Sequence, residues 1–126
     1  MKLELDAGAG RYHIRAYSAD AIVVNDQVVR HSCIIMPDRL VTDWPPQRFI
    51  DLTAEHLMVI AHLAPELVLL GSGRNTRFPK LAVLAPLIAQ SIGYEVMDTA
   101  AACRCYTVLA AQGRRVAAAL LPPNAD

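Results

Sequence analysis

The residues of this chain with the most chemical potential lie in one stretch, Gly71-Ser72-Gly73-Arg74-Asn75-Thr76-Arg77-Phe78-Pro79. Gly71 and Gly73 permit close approach of the backbone to a ligand, and Arg74 and Arg77 offer forked donors that match a carboxylate or phosphate. Placed between a strand and a helix, such a loop would aim free N–H groups and the helix dipole at an anion. Pro79 suits the first helical position, where the N–H it lacks has no partner anyway. The same residue types also build ordinary tight turns with solvated arginines.

A second group begins at Asp98-Thr99, directly after the strand-like Tyr94-Glu95-Val96-Met97. This helix start falls on the same sheet edge as the glycine loop, so the two motifs are expected to be neighbours. Asp98 can accept from Arg74 or Arg77, contact a ligand, or cap its own helix. Cys103 sits early in that helix, where the dipole lowers a thiol pKa. It shares a face with Thr99, Tyr106 and Ala110, which makes Cys103 and Tyr106 the candidate reactive groups of a ligand site. Cys105 falls on the stripe with Ala101, Ala102, Val108 and Leu109, read as the buried one.

Other chemistries are disfavoured by spacing. Residues two apart on a helix point about 200° apart, so Cys103 and Cys105 cannot share a metal or close a disulfide. His13, His31, His56 and His62 lack metal-ligand spacing. The pair Gly71 and Gly73, with Asp98 after the next strand, echoes a dinucleotide fingerprint, but Thr76 stands at the third glycine position and only one crossover follows. Nucleophile elbows, zinc-protease motifs and phosphate-binding P-loops do not occur. The expectation is therefore no catalytic constellation, no metal and no cofactor.

The elements that must position these residues read as follows. Residues 1–46 are mainly antiparallel β: Tyr12 to Tyr17, Ala21 to Val24, then a strand from Val28 that becomes apolar on both faces at Cys33-Ile34-Ile35-Met36 and so becomes central. Trp44-Pro45-Pro46 marks an irregular loop, with Trp44 either anchoring a partner or covering the core. Residues 47–123 alternate helix and strand. A helix capped by Thr53 uses Leu57, Ile60, Ala61 and Ala64 before Pro65; Leu67 to Leu70 is a buried strand. A helix within Lys80 to Ile92 ends at Gly93, a helix spans Thr99 to Gln112, and Val116 to Leu121 is the last strand. Two crossovers imply a partly parallel sheet within one α/β domain, and the tail 124–126 is expected to be loose.

Composition bounds the function. Lys plus Arg balances Asp plus Glu at 12 each, so no global field draws nucleic acid. The longest apolar run, Leu81 to Ala89, falls well short of the roughly 20 residues of a transmembrane helix. A helix apolar all round, with 54% hydrophobic residues in the chain, is either wholly buried or covered by a partner or a second copy. Three cysteines without framework spacing, and acids near the N-terminus where a signal peptide needs apolar residues, point to the cytoplasm.

The glycine loop, the run Gly93-Tyr94-Glu95-Val96-Met97-Asp98-Thr99-Ala100-Ala101-Ala102-Cys103, and the run from Tyr106 to Val116 resemble, in that order, a small bacterial and archaeal domain family. That family includes a mitochondrial complex I assembly factor and the adipogenesis-associated domain proteins, and the resemblance covers Leu5 to Pro122. It implies a three-layer β+α/β/α fold with a central mixed sheet, and a non-enzymatic binding or assembly factor with a protein partner. It brings no catalytic residues. Ser72 stands where Thr is common, and Thr107 where Asn is common. The alternative from the residues alone is an enzyme or sensor for a small anionic metabolite at the Gly71–Pro79 loop.

Overall fold

The computed structural model describes residues 11–126. The acidic N-terminus and the first residues of the family resemblance lie outside them. Eight strands and three helices follow in order: β1 Ile14–Tyr17, β2 Ile22–Val24, β3 Gln27–Val29, β4 Cys33–Met36, β5 Arg39–Val41, α1 Ala54–His62, β6 Leu67–Gly71, α2 Leu81–Ala89, β7 Gly93–Met97, α3 Thr99–Ala111 and β8 Val116–Leu120. A short 3₁₀ turn, Phe49–Asp51, precedes α1.

Two sheets form. β1, β2 and β3 make a small antiparallel sheet, and the larger one has the order β5-β4-β8-β6-β7. β6 runs parallel to β7 and β8, while β4 pairs antiparallel with β8 and β5. The sheet is mixed because α2 and α3 return the chain through crossovers, whereas β4 and β5 are joined by a tight turn.

The strand expected to run from Val28 through Met36 is two strands in two sheets. Between them Ser32 leaves the ladder: its N–H donates to Gln47 Oε1 at 3.2 Å and its hydroxyl donates to the Pro46 carbonyl. β4 is interior, as its all-buried pattern requires, but β8 occupies the middle of the sheet.

Each face of the large sheet carries its own core. On one side Ile34, Met36, Val68, Leu70, Ala117 and Ala119 meet α1, α2 and Trp44. On the other, Cys33, Ile35, Leu69, Ala118 and Leu120 meet α3 and the inner residues of the small sheet, Ile22, Val24 and Val29. Alternation along β4 and β8 thus feeds both layers, and the result is the three-layer β+α/β/α arrangement. Trp44 is 2% exposed and donates from Nε1 to the His56 carbonyl at 3.2 Å, so it belongs to the core.

Helix ends differ from the sequence reading where the backbone can turn left. α1 closes at His62, and Ala64 takes φ 54° just before Pro65, which disfavours a helical predecessor. α2 starts at Leu81 with Lys80 as its N-cap, so Pro79 lies outside the helix; its end comes at Ala89, and Ser91 rather than Gly93 makes the reversal, at φ 56°. α3 turns inward the face of Thr99, Cys103 and Tyr106 in place of Cys105 and Val108, while Ala102 of the expected stripe is buried as read. Thr99, Ala102, Cys103 and Tyr106 are buried, whereas Val108 is 57% exposed. The β1–β3 sheet covers that side of α3, a long-range arrangement that helical periodicity does not report.

Candidate functional site

The glycine loop and the start of α3 meet at one sheet edge. The Gly73 N–H donates to Thr99 Oγ1 at 2.9 Å, and the Thr99 N–H donates back to the Gly73 carbonyl at 2.9 Å. Thr99 Oγ1 in turn donates to the Leu121 carbonyl at 2.9 Å. One buried hydroxyl therefore joins β6, α3 and the end of β8. Gly71 is needed for this approach, since a Cβ there would lie 3.0 Å from both Thr99 Cα and Oγ1.

Further bonds from within the chain hold the rest of the loop. The Ser72 N–H donates to the Met97 carbonyl at 2.8 Å, and the Arg77 N–H donates to Ser72 Oγ at 3.0 Å. The Arg74 N–H donates to the Ala125 carbonyl at 3.0 Å, and its guanidinium donates to the Asn124 carbonyl at 3.2 Å. Gly73 adopts φ +100°, and a Cβ on it would stand 2.5 Å from the Ala125 oxygen. The tail expected to be loose is thus a strap, fixed at its far side by the Phe49 N–H donating to the Asp126 backbone oxygen at 2.8 Å. Of the donors expected to face an anion, the N–H groups of Ser72, Gly73, Arg74 and Arg77 are bonded to the chain's own carbonyls and hydroxyls.

The remaining candidates separate. Asp98 caps α3, accepting from the Ala101 N–H at 2.8 Å, and forms no ion pair with Arg74 or Arg77 among the described residues. Arg77 instead lies 4.4 Å over the Phe49 ring, a cation–π arrangement. Phe78 projects into solvent at 73% exposure. Cys103 is buried, and desolvation pushes its thiol from an ordinary 9.0 up to about 12, the opposite of activation by the helix dipole. Tyr106 is buried too, its hydroxyl donating to the Tyr12 carbonyl at 2.8 Å and its pKa raised by desolvation. Cys103 and Tyr106 are core groups beneath the small sheet and do not join the loop edge in one reactive site.

Sequence reasoning missed a groove beside the loop. It measures about 370 Å³ and is lined by Phe49, Ile50, Leu52, Arg77, Pro79, Lys80 and Val83. Ile50, which lines it, is 70% exposed, and the outer face of α2 presents Leu81 at 72% and, two turns further on, Ile88 at 49% exposure. The apolar all-round pattern of α2 was the signal for exposed apolar surface. Nothing local in the sequence places Phe49 and Ile50 against it.

The fold and this edge define a small three-layer α/β domain with an internally bonded glycine loop and, beside it, a groove lined by apolar residues and two cations. The family model described as "Protein of unknown function (DUF498/DUF598)" matches residues 14–121, and the chain belongs to that family. It is 34% identical over 113 residues to the Bos taurus NADH dehydrogenase (ubiquinone) 1 alpha subcomplex assembly factor 3, covering 88% of this chain and 61% of that protein. The chain thus spans about three-fifths of that relative's length. A crystal structure of a Bordetella parapertussis protein is 41% identical with a TM-score of 0.85, covering 90% of this chain and 98% of the other. A Bordetella pertussis protein described as an Mth938-like domain is 33% identical with a TM-score of 0.82, covering 100% and 95%.

Proposed function

We propose that this protein is a non-enzymatic binding factor that holds a protein partner during assembly of a larger complex. It would use the Gly71–Pro79 loop and the adjoining outer face of α2. The observation that carries this reading is the exposure of Ile50, Phe78 and Leu81 at and around the groove that Arg77, Pro79 and Lys80 of the loop and helix start help to line. Single exposed apolar residues are ordinary on protein surfaces, but a cluster on one flank is the mark of an interaction surface. The name of the bovine relative, an assembly factor, supports the same class of function. Three free thiols, two of them buried, fit action in a reducing compartment such as the cytoplasm. A second copy of the chain is a further candidate to cover the face.

Affinity capture from cells tests this reading with the wild type, an Arg74→Ala, Arg77→Ala double variant and a Phe78→Asp, Leu81→Asp double variant. A partner recovered by the wild type and lost from both variants is the expected outcome. Equal recovery by all three proteins overturns the assignment of this surface.

A further inference from the structure

We propose that the groove between the 3₁₀ turn and the first turn of α2 receives an apolar side chain from an extended, acidic segment of a partner protein, whose carboxylates pair with Arg77 and Lys80. This rests on the partner-binding reading above and names the chemistry of the partner.

Charge is the first support. Five of the groove's seven lining residues are apolar, and the two charged ones, Arg77 and Lys80, are both cations. Neither is engaged in a salt bridge among the described residues. Stacking over Phe49 holds the Arg77 guanidinium beside the groove, so its charge is placed before any ligand arrives. The lining therefore favours an acidic segment over a basic one, against the opposing charge of Asp126 at the groove's edge.

Size and backbone provide the second support. A volume of about 370 Å³ lies at the small end of the roughly 300–1,000 Å³ range of small-molecule pockets. It has room for one large apolar side chain. Phe78 and Leu81, next in sequence to the lining residues Arg77, Pro79 and Lys80, are exposed as well. The groove's edge already carries main chain, since the Phe49 N–H holds the Asp126 backbone oxygen. A partner segment continuing alongside this strap would place alternate side chains towards the groove, as extended peptides do.

Fluorescence anisotropy with three fluorescein-labelled peptides of equal length, alternating Glu with Leu, Lys with Leu, and Glu with Ser, tests the assignment. The Glu-Leu peptide is expected to bind saturably and the other two at least tenfold more weakly. Lys80→Glu, at an exposed site, and Val83→Trp, which fills the groove, should each weaken the Glu-Leu peptide at least tenfold, with folding checked by circular dichroism. Equal affinity for the three peptides, absence of saturable binding, or Glu-Leu binding unmoved by Lys80→Glu overturns the proposal. Saturable binding of decanoate without peptide binding assigns the groove to a small amphiphile and also overturns it. Affinity capture with Lys80→Glu separates the two readings: a partner still recovered leaves the binding-factor function standing while the groove assignment falls on its peptide results.

Discussion

Thr99 carries more of the loop edge than a residue at a helix start ordinarily does. Its hydroxyl accepts from Gly73 and donates to Leu121 with no exposure to solvent. Thr99→Val keeps the shape and strands a buried N–H and a buried carbonyl, so urea denaturation should show a loss of roughly 1–3 kcal/mol, with Thr99→Ser recovering most of it. Cys103 behaves in the opposite sense to a reactive thiol. Its pKa rises to about 12, as does that of buried Cys33, so both stay protonated in the fold when an unfolded thiol would ionise near 9.0. The stability this contributes is fully present below pH 9 and is lost as pH climbs from 9 towards 12. Iodoacetamide at pH 8 followed by mass spectrometry should modify the half-exposed Cys105 and spare Cys33 and Cys103 until the protein unfolds.

Among the elements, the C-terminal strap and the end of α1 are held by side chains and carbonyls distant in sequence. Gly73→Ala forces a Cβ against Ala125 at a positive φ. Strain of this kind costs about 1–3 kcal/mol, and the lower melting temperature should be accompanied by faster hydrogen exchange at the Arg74 and Phe49 amides as the strap detaches. At α1, the Arg115 guanidinium donates to the carbonyls of Leu63 at 3.0 Å and Ala64 at 3.3 Å while pairing with Asp38 at 2.8 Å. This one side chain satisfies carbonyls where the helix ends and complements its negative dipole end. Arg115→Met should destabilise the fold by about 1 kcal/mol, and Arg115→Lys should not fully restore it, because an ammonium cannot serve three acceptors through a planar fork.

At the scale of the whole molecule, each helix layer buries one face and leaves apolar residues outside, Val108 of α3 at 57% exposure among them. The α3 side is roofed by the β1–β3 sheet, which covers Cys103 and Tyr106. On the other side α2 buries Leu84 and Leu87 against the sheet and leaves Leu81 and Ile88 outside. Leu81→Glu and Ile88→Glu should therefore change stability by no more than about 0.5 kcal/mol while reducing partner recovery. A large fall in melting temperature for either would show that the face serves folding instead. No helix among the described residues is long and apolar enough to cross a membrane.

The sequence by itself determined the alternation of helix and strand from residue 54 onward, the mixed sheet, and the meeting of Gly71–Gly73 with Asp98-Thr99. These follow from local chemistry: apolar runs, caps, and the rule that parallel crossovers return loops to one edge. Tertiary structure decided which groups of that edge are bonded and which are free. Whether the Arg74 N–H is free or bonded depends on Ala125, far along the chain, and whether Cys103 or Cys105 faces inward depends on the small sheet that packs over α3. Helical periodicity identifies two faces without saying which is covered. The groove at Phe49, Arg77 and Lys80 was equally illegible, because it exists only where a 3₁₀ turn and a helix start are brought together across the fold.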